Sequence, residues 1–218
     1  MKEKFMNGLL TLVVVLMMQL LWWFGIHGPN VMGAVTSPFM TKMMAQNLAL
    51  YQAGEGVTAS GVFYTAGSQY SIIFGPFGSG WFSPTGSGIT MGLIIAVMLF
   101  SKRDDFKAIA KLAIPCGIFN INEPIIFGIP MVMNPMFAVP FFLAPIACVC
   151  CGYLVQSLGL CPLFVIDVPW TTPVGLFGFL ASSGNIMGAI WRVVIIVGVS
   201  TLIYTPFVIA ANRQTEEA

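Results

Sequence analysis

Glu123 stands between Asn122 and Pro124, with Asn120 three residues earlier, inside sequence that is otherwise apolar from Gly117 to Ile129. An ionised carboxylate accepts hydrogen bonds at both oxygens, and a neighbouring carboxamide both donates and accepts. Together they suit a ligand with adjacent hydroxyls, which describes a sugar. The structural alternatives for Glu123 are capping of the helix that follows and pairing with Lys111. An acid in apolar sequence is costly unless it faces protein or a water-filled cavity, which favours function. Prolines at 124, 130 and 135 deny the region a continuous helix. Irregular backbone at membrane depth is tolerated where it lines a cavity, so this segment is expected to form the floor of a polar-ligand site.

His27 is the only histidine and sits at the end of a spanning helix, four residues after Trp23, a spacing that puts the two on one face. An indole can cover the C–H face of a sugar while an imidazole nitrogen meets a hydroxyl. The bland alternative is an interfacial histidine beside an aromatic belt. Asp167 and the Trp170-Thr171-Thr172 cluster between Pro169 and Pro173 have the polarity of a second hairpin tip, or of a solvated loop. Arg192, inside the last apolar stretch, is expected to snorkel or to offset Asp167. Asn134 before Pro135 reads as a turn residue.

No catalytic constellation is visible. A single histidine, no Ser-His-Asp set and no paired carboxylates leave no catalytic residue to name. Cys148, Cys150 and Cys151 lie in an apolar run, with Cys116 and Cys161 beside prolines; the spacing fits small packing residues better than a metal site. No metal and no cofactor are expected. The Gly75-Pro76-Phe77-Gly78-Ser79-Gly80-Trp81 stretch invites a phosphate-cradle reading, but no Lys-Ser/Thr pair follows it.

The elements that must position these residues are those of a lipid-embedded chain. Charged residues make up 8% of the 218 and hydrophobic ones 57%, with a mean hydropathy of +0.89. Soluble domains carry about a quarter charged residues. A net charge of +1 gives no reason to expect nucleic acid as a partner. The simplest count is one membrane domain over residues 1–218. Lys2 and Lys4 precede an apolar run from Phe5 to Ile26, long enough to span and longer than a signal-peptide core, so nothing here reads as removable. Val31 to Gln46 reads as a short or interfacial helix, and Gly54 to Gly88 as a long loop or partly helical backbone. Ile89 to Phe100 is short for a span. Further apolar helices are expected near Met136 to Leu158 and Asn185 to Ala210.

The fold class is therefore all-α and integral to the membrane. About four spanning helices would bracket two re-entrant, broken-helix hairpins near 112–135 and 162–184. The basic cluster Lys102, Arg103, Lys107 and Lys111 marks the cytoplasmic side, and both termini fall there too.

The run Gly117-Ile118-Phe119-Asn120-Ile121-Asn122-Glu123-Pro124-Ile125-Ile126-Phe127-Gly128-Ile129-Pro130, followed by Asn134-Pro135, resembles a signature of the membrane component (IIC) of bacterial phosphoenolpyruvate-dependent sugar phosphotransferase systems, lactose/cellobiose/diacetylchitobiose branch. Trp23-Phe24-Gly25-Ile26-His27-Gly28 and Pro169-Trp170-Thr171-Thr172-Pro173 resemble that branch's second sugar-binding segment and second hairpin, in the same order. The resemblance implies a bacterial inner-membrane, multi-pass permease, not an enzyme, that takes up a β-linked disaccharide of cellobiose, diacetylchitobiose or lactose type. It implies sugar contacts at His27, Glu123 and Asn122, with Trp23, Asn120, Trp170 and Thr171 as secondary candidates. It implies homodimers, and IIA and IIB partners, with a IIB phosphocysteine delivering the phosphoryl group; none of the five cysteines here matches that role. The match covers the C-terminal half of such a component. This sets a split carrier or a non-transporting remnant beside the intact-transporter reading.

Overall fold

The computed structural model describes residues 2–65, 67–72 and 80–216. Most of the glycine-rich stretch considered as a phosphate cradle, residues 75–79, lies outside the described residues. Helix α1 (Lys2–Trp23) stops earlier than its apolar run. Gly25 adopts φ +80°, its N–H bonds Trp22 O at 2.8 Å, and the Ile26 N–H bonds Leu21 O at 2.9 Å. This pair of bonds around a left-handed residue closes a helix C-terminus and satisfies its last carbonyls.

The chain restarts at once as α2 (Gly28–Gln52), with Pro29 in its first turn and His27 as N-cap. A Cβ on Gly28 would fall 2.0 Å from Met18 O, so α1 and α2 meet there backbone to backbone. With 25 residues, α2 is longer than the interfacial helix expected from Val31 to Gln46. The cap at His27 extends it at the front, and Pro38 does not stop it. A minimal antiparallel hairpin follows, β1 (Val57–Thr58) with β2 (Gly61–Val62), pairing Val57 with Val62 and Thr58 with Gly61. The loop expectation for Gly54 to Gly88 did not foresee it.

After a turn over 83–90 come α3 (Met91–Phe100) and α4 (Asp104–Ile118). Asn212 joins them to the end of the chain: its Nδ2 donates to Phe100 O at 2.9 Å, and its Oδ1 accepts from Lys102 N at 2.9 Å. Asp104 and Asp105 sit in the first turn of α4, where negative charge meets free N–H groups. The break expected from Leu112 begins later, because α4 runs through Pro115 to Ile118.

The short α5 (Glu123–Gly128) lies between two irregular stretches. Six residues do not hold a helix unaided. Here Ile125, Ile126 and the following Ile129 are almost wholly buried among Leu93, Val97, Phe106 and Phe137. Asn134 is a turn residue, as expected: its Oδ1 accepts from Met136 N at 3.0 Å and starts α6 (Pro135–Ser157).

An irregular stretch from 159 to 173 leads to α7 (Val174–Ala181). The last run comprises α8 (Ile186–Val193), a π-helical segment Val194–Val199 and α9 (Ser200–Glu216). Among the described residues, two helices are long and apolar enough to cross a membrane, Pro135–Ser157 and Ile186–Arg213. The fold is an all-α helical bundle around two apolar clusters. One gathers Trp81, Phe164 and Phe177, and the other Trp22, Ile125, Phe137 and Tyr204.

Arg192 neither snorkels nor offsets Asp167. Its side chain is buried, with the guanidinium 3.6 Å from the centre of the Phe177 ring, while Asp167 is exposed. Helix α8 turns this face inward against α7, and a cation over an aromatic face is the contact it finds.

A second close helix crossing is at Gly92, where a Cβ would lie 2.4 Å from Ser200 C and 2.5 Å from Thr201 N. Gly92→Ala is expected to force α3 and α9 apart at a cost of about 1–3 kcal/mol. Thermal unfolding of the detergent-solubilised protein checks this; an unchanged midpoint would mean the crossing is looser than described.

Candidate functional site

Two helix stops and one turn build the site. At the end of α4 the Ile121 N–H bonds Cys116 O and the Asn120 N–H bonds Gly117 O, each at 3.0 Å, and Asn120 sits at φ +66°. This is the same closure that Gly25 gives α1, with asparagine as the left-handed residue. The turn over 83–90 carries further left-handed residues: Thr85 (φ 62°), Gly86 (83°), Gly88 (80°) and Ile89 (51°). Threonine and isoleucine rarely accept such angles, so surrounding contacts must hold them.

Four side chains do so. Asn120 Oδ1 accepts from Thr85 N at 2.7 Å, and Gln19 Oε1 from Gly88 N at 2.9 Å. Asn122 Nδ2 donates to Ser87 O at 2.6 Å, and the Tyr204 hydroxyl to Gly88 O at 2.7 Å. Gly86 allows the turn to lie directly on Asn122, since a Cβ there would fall 2.1 Å from Asn122 Cγ.

Between these elements opens a cavity of about 740 Å³, within the range that holds a small organic ligand. Its wall includes Trp22, His27, Asn30, Ser83, Ser87, Asn120, Asn122, Glu123 and Trp170. His27, Asn122 and Glu123, from two segments some 95 residues apart, therefore line one space. The Nδ1 of His27 accepts from Asn30 N at 3.2 Å. In the neutral ring this leaves the proton on Nε2, a donor for a ligand oxygen. Glu123 opens α5 half-buried, with Asn122 as the N-cap. Among the described residues Glu123 has no ion pair, so pairing with Lys111 is not what holds it.

The secondary candidates divide. Trp170 lines the cavity and its side chain is largely exposed; Thr171 beside it is not part of the wall. Asn120 reaches the wall, but its carboxamide is engaged on both sides: besides Thr85 N, it donates to Trp170 O and, at 2.8 Å, to Thr172 O. Trp23 does not share a face with His27. Helix α1 ends at Trp23, so the four-residue spacing no longer describes neighbours, and the Trp23 ring packs on Phe24 and Phe142. Trp22 takes the expected place, its ring centroid 4.9 Å from that of His27 at a tilt of 53°. The left-handed stop at Gly25 was the signal that the helical face would not continue.

An aromatic face, an imidazole donor, a carboxylate and a carboxamide can together grip a polyhydroxylated ligand with apolar C–H faces. Comparison with known proteins bears on what that ligand is. Residues 4–145 match the model of the phosphotransferase system EIIC family. The chain belongs to that family.

EIIC components are the permease parts of phosphotransferase systems, not the parts that phosphorylate. This EIIC chain is 37% identical to the cellobiose-specific EIIC component of Lactococcus lactis subsp. lactis (strain IL1403), over 94% of this chain and 43% of that protein. It is 34% identical to the oligo-beta-mannoside-specific EIIC component of Bacillus subtilis (strain 168), over 93% of this chain and 43% of that one. Its fold is similar to the crystal structure of the transporter ChbC, the IIC component of an N,N'-diacetylchitobiose-specific system. The TM-score is 0.82 at 33% identity, covering 93% of this chain and 44% of that one. The chain thus spans less than half the length of the relatives it matches. It is homologous to EIIC components named for cellobiose and N,N'-diacetylchitobiose, and a place in the membrane is consistent with that family.

Gly86→Ala places a methyl group on Asn122 at a left-handed backbone position. It is expected to loosen the 83–90 turn and cost about 1–3 kcal/mol, read as faster amide hydrogen exchange at Ser87 and Gly88 with a lowered unfolding midpoint. Exchange rates equal to wild type would remove Asn122 as the turn's neighbour.

Proposed function

We propose that this chain holds a β-linked disaccharide, of cellobiose, diacetylchitobiose or lactose type, in the cavity beside α5 during its passage across the bacterial cytoplasmic membrane. The observation that carries this is the convergence of Trp22, His27, Asn122 and Glu123 on one cavity. The names of the relatives, cellobiose-specific and N,N'-diacetylchitobiose-specific components among them, support the substrate class. His27 donates from Nε2, Glu123 accepts from paired hydroxyls, Asn122 offers its carboxamide oxygen, and the Trp22 ring covers a C–H face. Uptake is coupled to phosphorylation of the sugar by a separate IIB component, itself served by IIA. This chain supplies no catalytic group and no cofactor.

The chain corresponds to the C-terminal half of the longer components and forms one multi-pass membrane domain. Four spans bracket two re-entrant hairpins, at whose tips lie the breaks at 119–122 and 159–173. Homodimers, with the complementary half present, complete the carrier. The order of the three signature segments along the chain supports this reading, as does the way both breaks meet at the cavity.

Glu123→Gln keeps the shape of the side chain and removes its charge. Hydrogen bonds to a charged group contribute about 1.5–3 kcal/mol, so affinity for cellobiose or N,N'-diacetylchitobiose in a calorimetric titration is expected to drop roughly tenfold or more. Equal affinity in variant and wild type would take Glu123 out of the site.

The cluster Lys102, Arg103, Lys107 and Lys111 is expected to face the cytoplasm. Asp105 is exposed beside it and pairs with Arg103, a surface contact of small worth. Asp105→Cys in a cysteine-free background should resist a membrane-impermeant maleimide in intact cells and react after lysis. Labelling from outside would invert the orientation.

A further inference from the structure

Trp170 is 64% exposed, so little of its own packing fixes where it stands on the cavity wall. Its backbone is fixed instead. The Asn120 carboxamide donates to Trp170 O and to Thr172 O, and the Thr172 N–H closes a turn onto Pro169 O at 3.0 Å. The same carboxamide accepts from Thr85 N at 2.7 Å, so one side chain joins the 83–90 turn to the 169–172 turn. Asn120 is itself 4% exposed, and its left-handed backbone points the side chain between the two. Both Nδ2 protons and Oδ1 have protein partners, which leaves the group poorly placed to serve a ligand as well.

We propose that Asn120 is a positioning residue: it sets Trp170 on the wall of the cavity and acts on the bound sugar through that indole, without touching the sugar. This rests on the disaccharide reading above. Asparagine is suited to the task by two properties at once, tolerance of the left-handed region and a planar group that donates on one side and accepts on the other. Aspartate has the same shape and can still accept from Thr85 N. It would, however, turn an oxygen towards the carbonyls of Trp170 and Thr172, where the amide donates.

The test uses the full chain in detergent, with Asn120→Asp, Trp170→Ala and the double variant. Amide exchange should rise sharply at 168–173 in Asn120→Asp and stay at the wild-type level at 83–90. Titrations with cellobiose and with N,N'-diacetylchitobiose should show each single variant severalfold weaker, and the double variant no weaker than Trp170→Ala alone. Losses that multiply in the double variant would place Asn120 on the sugar directly. Unchanged exchange at 168–173 would also overturn the proposal. Should Asn120→Asp fail to fold, Asn120→Gly keeps the backbone conformation and deletes all three bonds. Exchange should then rise at both turns, and a rise at 83–90 alone would overturn it. If the wild-type protein binds neither sugar, the disaccharide reading fails while the exchange data still decide the role of Asn120.

Discussion

A helix that breaks inside apolar surroundings leaves N–H and C=O groups with no water to meet them, and each must find a partner in the protein. The chain meets this constraint with side-chain amides. Gln19, Asn120 and Asn122 reach across from α1 and from the break after α4 to the backbone of the 83–90 turn, and the Tyr204 hydroxyl joins from α9. These four bonds add to the turn's own, such as Ile89 N to Gly86 O, in holding a stretch that carries the left-handed Thr85 and Ile89. The cavity is what remains between breaks stabilised in this way.

The polar residues around the cavity therefore fall into two groups with different duties. Asn120 and Gln19 are tied to backbone and hold the turn that forms part of the wall. Glu123 opens its short helix with no ion pair among the described residues, and His27 keeps one ring nitrogen beyond its bond to Asn30. Asn122 stands between the groups, donating to Ser87 O with one face of its amide. A site that must release its ligand needs groups of the second kind, and a site that must keep its shape needs the first.

Sequence reasoning found the acid and the prolines because they violate the pattern around them. An isolated Glu between an amide and a helix breaker is visible without coordinates, and so is a sole histidine at the end of an apolar run. It missed Trp22 in favour of Trp23, because helical spacing was carried across Gly25, where the chain reverses. The ties of Asn120, a secondary candidate, to backbone 35 and 50 residues away could not be read from its neighbours in sequence. The length of α2 and the hairpin at 57–62 were missed for a related reason. Their mixed polarity gives no clean period, and packing against the rest of the bundle decides them. Arg192 was given polar company on the general cost of buried charge, and the structure gives it an aromatic face.

The four bonds that hold the 83–90 turn also fix an order of events in biosynthesis. Their partners lie 35, 69 and 116 residues away along the chain. The turn leaves the ribosome after Gln19 but before Asn120, Asn122 and Tyr204. During that interval its polar backbone must wait without three of its final partners. Contacts between distant parts of a chain form late and slowly, so the wall of the cavity is completed only once the last helix has arrived. A nascent chain arrested before Tyr204 would carry every candidate sugar contact and still lack the finished pocket.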